Sequence, residues 1–213
     1  KYTGTIPSRT DTLRTLSTDG AVHGVLLLRP LPEALRAQEM LDTLDARKDV
    51  DGMTTASLGT LVTGAAGFAP CTAEACMELL RAHGIDPAGR RVTIVGRSLV
   101  IGRPAALLLT RADATVTLCH RKTPDLAARC RDADILLAAA GTPGLITTDF
   151  VRPGQIVLDA GATALPDGTL RGDVTPAAAA IAACTPVPGG IGSVTTALLL
   201  RHTVQAAEKS HHF

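Results

Sequence analysis

Arg90–Pro104 reads RRVTIVGRSLVIGRP, and this stretch decides the fold. Val92, Ile94 and Val95 form a short β-branched run of the kind that makes a buried strand. The run breaks at Gly96-Arg97-Ser98, and Gly102 precedes Pro104 and the apolar pattern of Ala105 to Leu109. Strand, glycine turn and helix start make the first half of a nucleotide-binding βα unit. Gly96 permits a tight turn, Gly102 permits close packing of helix on strand, and the first helical N–H groups face a pyrophosphate. The spacing is not G-x-G-x-x-G, and glycine-bearing βα turns also occur in sheets that bind nothing.

Further strands and helices alternate away from this centre. Ala114–Cys119 (ATVTLC), Ala133–Ala140 (ADILLAAA) and Ile156–Leu158 read as strands, Asp125–Arg131 and Val194–Lys209 as helices. Leu198, Leu199 and Val204 are the expected buried positions of the last helix. Towards the N-terminus, Leu13 and Leu16 suggest a short helix and Val22–Leu28 a buried strand. Glu33–Leu44 suggests an amphipathic helix, and 59–67 a glycine-rich connection. Thr72 is the expected N-cap of a helix over Ala73–His83 that stops at Gly84. The alternation predicts an α/β protein with a parallel sheet. Hydrophobic residues make up 46% of the 213 residues and aromatics only 2%, so the core is aliphatic.

The formal net charge is +1 and no basic run occurs, which argues against a nucleic-acid or anionic-membrane partner. No apolar run approaches the roughly 20 residues of a membrane span, and Lys1-Tyr2-Thr3 has no signal-peptide layout. Five cysteines without a C-x-x-C pair suit a reduced, cytoplasmic chain, each a small buried side chain. No ligand cluster has metal spacing, so no metal is expected. His211-His212 is read as a chain end, and His23 and His120 as structural. Ser98 and Thr142 are read as capping or phosphate contacts. At the end of the second strand, beside the expected ribose site, stand Arg121 and Lys122 rather than an acidic residue. With Arg97 they suit a 2′-phosphate and favour NADP over NAD, or else they are solvated loop cations.

Four segments together resemble the bifunctional methylenetetrahydrofolate dehydrogenase/cyclohydrolase family. They are Lys48-Asp49-Val50-Asp51-Gly52, Phe68-Ala69-Pro70-Cys71-Thr72, Val95-Gly96-Arg97-Ser98 with Gly102 and Pro104, and Thr185 to Gly192. Gly24–Pro32 resembles the family's strand and Pro-Leu-Pro turn. The resemblance implies a Rossmann-like dinucleotide domain and a smaller, here incomplete, N-terminal α/β folate domain. The expected division is 1–67, 68–193 and a returning helix over 194–213, with a cleft between the two α/β regions. A homodimer through the dinucleotide domain is also implied.

The implied activity is hydride transfer from 5,10-methylenetetrahydrofolate to NADP. Asp51 matches the folate aspartate, whose carboxylate can accept two N–H bonds from a pterin edge, and is the expected catalytic residue. Leu27, Leu28, Arg29, Pro188, Gly189, Gly190, Ile191 and Gly192 match substrate-binding positions. Gly96, Arg97, Ser98, Arg121 and Ala162 match cofactor positions, Arg121 standing where the family has serine and Ala162 where it has isoleucine. Asp159-Ala160-Gly161-Ala162-Thr163 and Ser193 also depart from the usual wording.

Two departures bear on the hydrolytic half of the family's activity. The chain shown contains no Tyr-x-x-x-Lys motif and is shorter than family members by most of an N-terminal region. Leu28 replaces the glutamine of the family's V-Q-L-P-L-P stretch, and leucine cannot hydrogen-bond. A dehydrogenase with weak or lost cyclohydrolase is therefore expected. The alternatives are a folate- or nucleotide-binding protein without turnover, and an enzyme on another one-carbon pterin in which Arg29 meets a new anionic group.

Overall fold

The computed structural model describes residues 6–28, 31 and 38–210. They divide into two compact units: residues 1–71 with 197–213, and residues 72–196. Expectations that fall on Arg29, Pro30, residues 32–37 or His211–Phe213 lie outside the described residues.

The first unit contains α1 (Ile6–Thr18), α2 (Gln38–Leu41) and α3 (Thr55–Thr63), begins α4 (Cys71–Ala82), and takes the later part of a long C-terminal helix. Leu13 and Met40 form one small core, with Val25, Leu27 and Leu31 against it. Val22–Leu28 does not form the expected buried strand. A strand needs a paired neighbour, and among the described residues only Val25 bridges, parallel to Asp49, with its N–H 2.8 Å from Lys48 O. Leu26 and Leu28 are exposed. Residues 59–67 are not simply a connection, because α3 runs through Gly59. Thr54 caps its start by accepting the Ser57 N–H, and Gly64, at φ 75°, ends it. Both caps outweigh the roughly 1 kcal/mol cost of an internal glycine. Thr72 is not an N-cap, since α4 already starts at Cys71 after Pro70.

The second unit is a five-stranded parallel sheet. Its strands are β1 (Arg91–Val95), β2 (Thr115–Cys119), β3 (Ile135–Ala138), β4 (Ile156–Asp159) and, after the short antiparallel pair β5 (Thr163–Ala164) and β6 (Leu170–Arg171), β7 (Ala183–Cys184). The spatial order is β2-β1-β3-β4-β7. α5 (Gly102–Arg111), α6 (Leu126–Asp132) and α7 (Pro176–Ala179) connect the strands, and α8 (Ile191–Ser210) follows β7. Val95, Leu136, Ala138, Val157, Ile146 and Val174 share one core. This is the Rossmann-like arrangement expected. In α8, Leu198 is buried and Leu199 half-buried, but Val204 is 58% exposed rather than buried.

Buried polar groups tie the second unit's loops together. Asp173, wholly buried, accepts the backbone N–H groups of Ala140, Gly141 and Thr142 at 2.6, 3.0 and 2.8 Å. Asp159, 4% exposed, accepts those of Gly161, Asp173 and Val174. Gln155, also fully buried, donates to Cys130 O and Ala133 O. Each carboxylate satisfies donors that would otherwise be buried without partners.

Candidate active site

The strand order reverses between β1 and β3, since the chain moves from β1 to β2 on one side and then to β3 on the other. Open parallel sheets bind ligands at such a switch point, outside the carboxyl ends of the strands. Val95 pairs with both Cys119 and Ala138, and Ala138 with Asp159. The segments after β1, β2, β3 and β4 therefore leave from one edge of the sheet.

Gly96 begins the first of these segments at φ 125°, and a Cβ there would strike the Ala139 carbonyl at the end of β3. A Cβ on Gly102 would strike Gly96 O. The two glycines thus bring the β1 turn against both its neighbouring strand and its own helix, which leaves a cradle where side chains would otherwise stand. Ser98 shapes this turn: its Oγ accepts the Ile101 N–H at 3.2 Å and its carbonyl the Arg103 N–H at 3.1 Å. The start of α5 at Ile101 carries no side-chain cap, so its positive end is available to an anion.

Arg97 and Arg121 are both exposed. Each lies two residues beyond a member of the Val95–Cys119 pair. The turn holding Arg121 is fixed by Thr123 N–H to His120 O at 2.8 Å, with the His120 N–H donating to Thr123 Oγ1 at 2.9 Å. His120 Nδ1 accepts the Lys122 N–H, which gives this histidine the structural role expected of it. Cys119 to Thr123 contains no carboxylate. Ala162 is exposed beyond the β4 end. The residues present thus fit a dinucleotide: a glycine cradle, an uncapped helix start and cations at the outer end.

Pro188 to Gly190 leads into α8, and Ile191 and Gly192 open its first turn. Gly189 has φ 99°, a Cβ on Gly190 would strike Pro186 O, and Ile191 is buried. Thr185 Oγ1 accepts the Asp159 N–H at 2.9 Å and anchors the loop's start to β4.

In the first unit Asp51 is half-buried in a turn held from several sides. Asp49, 3% exposed, accepts the Thr54 N–H and the Ser57 hydroxyl, both at 2.7 Å. Gly52, at φ 61°, has no room for a Cβ against the backbone of Phe68, Ala69 and Pro70. The Cys71 N–H lies 3.4 Å from Asp51 Oδ1. The segments 48–52 and 68–71 therefore meet. The Val25–Asp49 bridge brings the segment carrying Leu27 and Leu28 alongside. Leu27 packs on the Leu13–Met40 core while Leu28 projects outward, 76% exposed. Arg29 lies outside the described residues.

The cysteines are all free thiols, four of them buried. Burial pushes the Cys76 thiol up to about 12, Cys130 up to about 12 and Cys184 up to about 11, so none of these is a nucleophile at neutral pH. Among the described residues there is no cluster of three or more His, Cys, Asp or Glu able to hold a metal, and no helix long and apolar enough to cross a membrane.

Two buried polar side chains, Asp173 and His202, leave no mark in the sequence. Nothing in the sequence around Asp173 marks it as the acceptor for the loop after β3. His202 gave no signal at all, because its partner Val50 is 152 residues away in sequence.

Residues 70–211 match the family described as "Tetrahydrofolate dehydrogenase/cyclohydrolase, NAD(P)-binding domain". The chain is 54% identical over 198 residues to the bifunctional protein FolD 1 of Rhodococcus jostii, covering 92% of this chain and 67% of that protein. The crystal structure of a FolD methylenetetrahydrofolate dehydrogenase/cyclohydrolase from Campylobacter jejuni superposes with a TM-score of 0.92 at 40% identity, over 97% of this chain and 74% of that one. The Trypanosoma brucei enzyme complexed with NADP cofactor and inhibitor gives a TM-score of 0.92 at 35% identity, over 99% and 75%. This chain belongs to the tetrahydrofolate dehydrogenase/cyclohydrolase family.

Proposed function

We propose that the protein oxidises 5,10-methylenetetrahydrofolate to 5,10-methenyltetrahydrofolate with NADP, and that its cyclohydrolase step is weak or lost. The observation that carries the cofactor half is the β1 turn. Gly96 and Gly102 clear a cradle at the switch point, and Arg97 and Arg121 stand beyond it. Cations without a carboxylate at the end of β2 attract a 2′-phosphate and give no acceptor for a 2′-hydroxyl. Bound NADP supplies the hydride-accepting nicotinamide, and the protein's work is to bind and orient.

Asp51 is assigned to the pterin edge, with Leu27, Leu28, Arg29 and Pro188–Gly192 as further folate positions. Ala162 is assigned to the cofactor. Leu28 supports the loss of hydrolysis: its exposed alkyl side chain has no group to polarise water or hold a carbonyl. Residues 1–67 with the helix over 194–213 form the folate part, and 68–193 the cofactor domain. A cytoplasmic homodimer, with neither nucleic acid nor membrane as partner, completes the reading.

Calorimetric titration with NADP, NAD and tetrahydrofolate tests the binding assignments. NADP is expected to bind at least tenfold more tightly than NAD, the effect of about 1.4 kcal/mol from a charge-assisted phosphate contact. Equal affinity for the two nucleotides would remove the role of Arg97 and Arg121.

A further inference from the structure

The carbonyl oxygen of Val50, one peptide bond before Asp51, takes two side-chain donors in the buried interior of the first unit. His202 in α8 places Nδ1 2.8 Å from it. The Cys71 thiol, at the start of α4, lies 3.3 Å from the same oxygen. A carbonyl can only accept, so Nδ1 carries a ring proton. Sγ and Nδ1 are 3.4 Å apart, side by side on one acceptor. His202 is 2% exposed, Val50 3% and Cys71 0%. The imidazole lies against Phe68, with ring centroids 4.7 Å apart and planes tilted by 30°. The Lys209 ammonium sits 5.0 Å from the Phe68 centroid.

A buried imidazole is costly unless its polar atoms are used. Here a donor is spent on the backbone that carries Asp51. Two donors on one carbonyl hold the plane of the Val50–Asp51 peptide. The Cys71 N–H, at 3.4 Å, and Gly52, packed on the Phe68–Pro70 backbone, hold the turn on its other sides. The direction in which the Asp51 carboxylate leaves the chain follows from that plane. Two-pronged recognition by a carboxylate is sensitive to direction, and small misplacements far from the chemistry are expensive.

We propose that His202, with Cys71, is a positioning residue for folate binding: it acts through the Val50 carbonyl to aim the Asp51 carboxylate. The proposal deepens the assignment of Asp51 to the pterin and rests on it. The side-chain amide nitrogen of asparagine occupies nearly the place of the histidine Nδ1, whereas leucine fills the space without a donor.

The test compares wild type with His202→Leu, His202→Asn and Asp51→Asn. It measures kcat and KM for 5,10-methylenetetrahydrofolate, KM for NADP, and calorimetric binding of tetrahydrofolate. His202→Leu is expected to raise the folate KM and the tetrahydrofolate Kd about tenfold, leaving the NADP KM within twofold. His202→Asn is expected to restore both folate values to within about threefold of wild type. If His202→Leu leaves folate binding unchanged, or weakens folate and NADP alike, the proposal is overturned. If Asp51→Asn binds folate as wild type does, it is the assignment of Asp51 that fails. Should His202→Leu not fold, Cys71→Ala removes the second donor to the same carbonyl. A two- to fivefold rise in folate KM with NADP unaffected supports positioning, and no change overturns it.

Discussion

The carbonyl oxygen of Gly96 fills the space that a Cβ on Gly102 would need. The clash is with backbone, which no rotamer change relieves. Gly102→Ala must therefore push α5 away from the β1 turn and distort the cradle at the switch point. The expected result is a rise of at least tenfold in the NADP KM, with tetrahydrofolate binding by calorimetry within twofold of wild type. Unchanged NADP kinetics would show that the turn does not hold the cofactor.

Arg121 is exposed, in a turn whose shape is set by backbone and Thr123 rather than by the guanidinium. Removing its side chain should leave folding alone. Arg121→Ala is expected to weaken NADP about tenfold and NAD less than twofold, by steady-state KM at low ionic strength, with the difference shrinking in high salt.

Asp173 supports the loop after β3 through three N–H groups. Asp173→Ala would leave them buried without an acceptor, at a cost of about 3 kcal/mol or more. Thermal unfolding should show this as a clear fall in midpoint, well beyond that of an exposed control such as Asp167→Ala.

Asp173 and its neighbour Asp159 give a pH signature. Burial pushes Asp173 above the usual carboxylate range, against the N–H donors of Ala140, Gly141 and Thr142, and the neighbouring Asp159 charge adds to the rise. Burial likewise raises Asp159, against the N–H groups of Val174, Asp173 and Gly161. A raised folded-state value means the native protein holds the proton more firmly than the unfolded chain. Their contribution is thus complete below about pH 3.9, the unfolded value, and is lost as pH climbs through the raised values. Asp173→Asn cannot lose a proton. The stability of wild type relative to this variant should therefore fall as pH rises from 4 towards 7, read by denaturant melts. A relative stability that grows over that range would contradict the shift.

Buried thiols should be inert. With Cys76 and Cys130 up to about 12 and Cys184 up to about 11, iodoacetamide at pH 8 is expected to leave these three unlabelled in the native protein. All five cysteines should be modified once the chain is unfolded. Mass spectrometry of the labelled peptides checks both.

The sheet was legible because β3 (ILLA) and Ile156–Leu158 of β4 are apolar runs between turn residues, and β1 (RVTIV) is β-branched and apolar apart from Arg91 and Thr93, as suits strands covered on both faces. The order of the strands was not legible, since it depends on which edges pair. Val22–Leu28 misled because an apolar run makes a strand only if a partner lies beside it, and here only Val25 has one. Residues 59–67 misled because glycines counted as breakers, while the caps at Thr54 and Gly64 decided for a helix. Asp51 and Arg121 are candidates the sequence can mark, the first by a family motif and the second by its place at the end of β2. His202 is not one, because its role is a contact with a backbone carbonyl far along the chain, and backbone acceptors leave no mark in a sequence.

Incubating the protein with 5,10-methylenetetrahydrofolate and NADP, and following NADPH and methenyltetrahydrofolate together, decides whether it is a dehydrogenase without hydrolysis. Both are expected to rise in step, with methenyltetrahydrofolate persisting. NADPH formation without methenyltetrahydrofolate would show that hydrolysis survives and contradict the reading of Leu28. No NADPH at all would contradict the dehydrogenase itself.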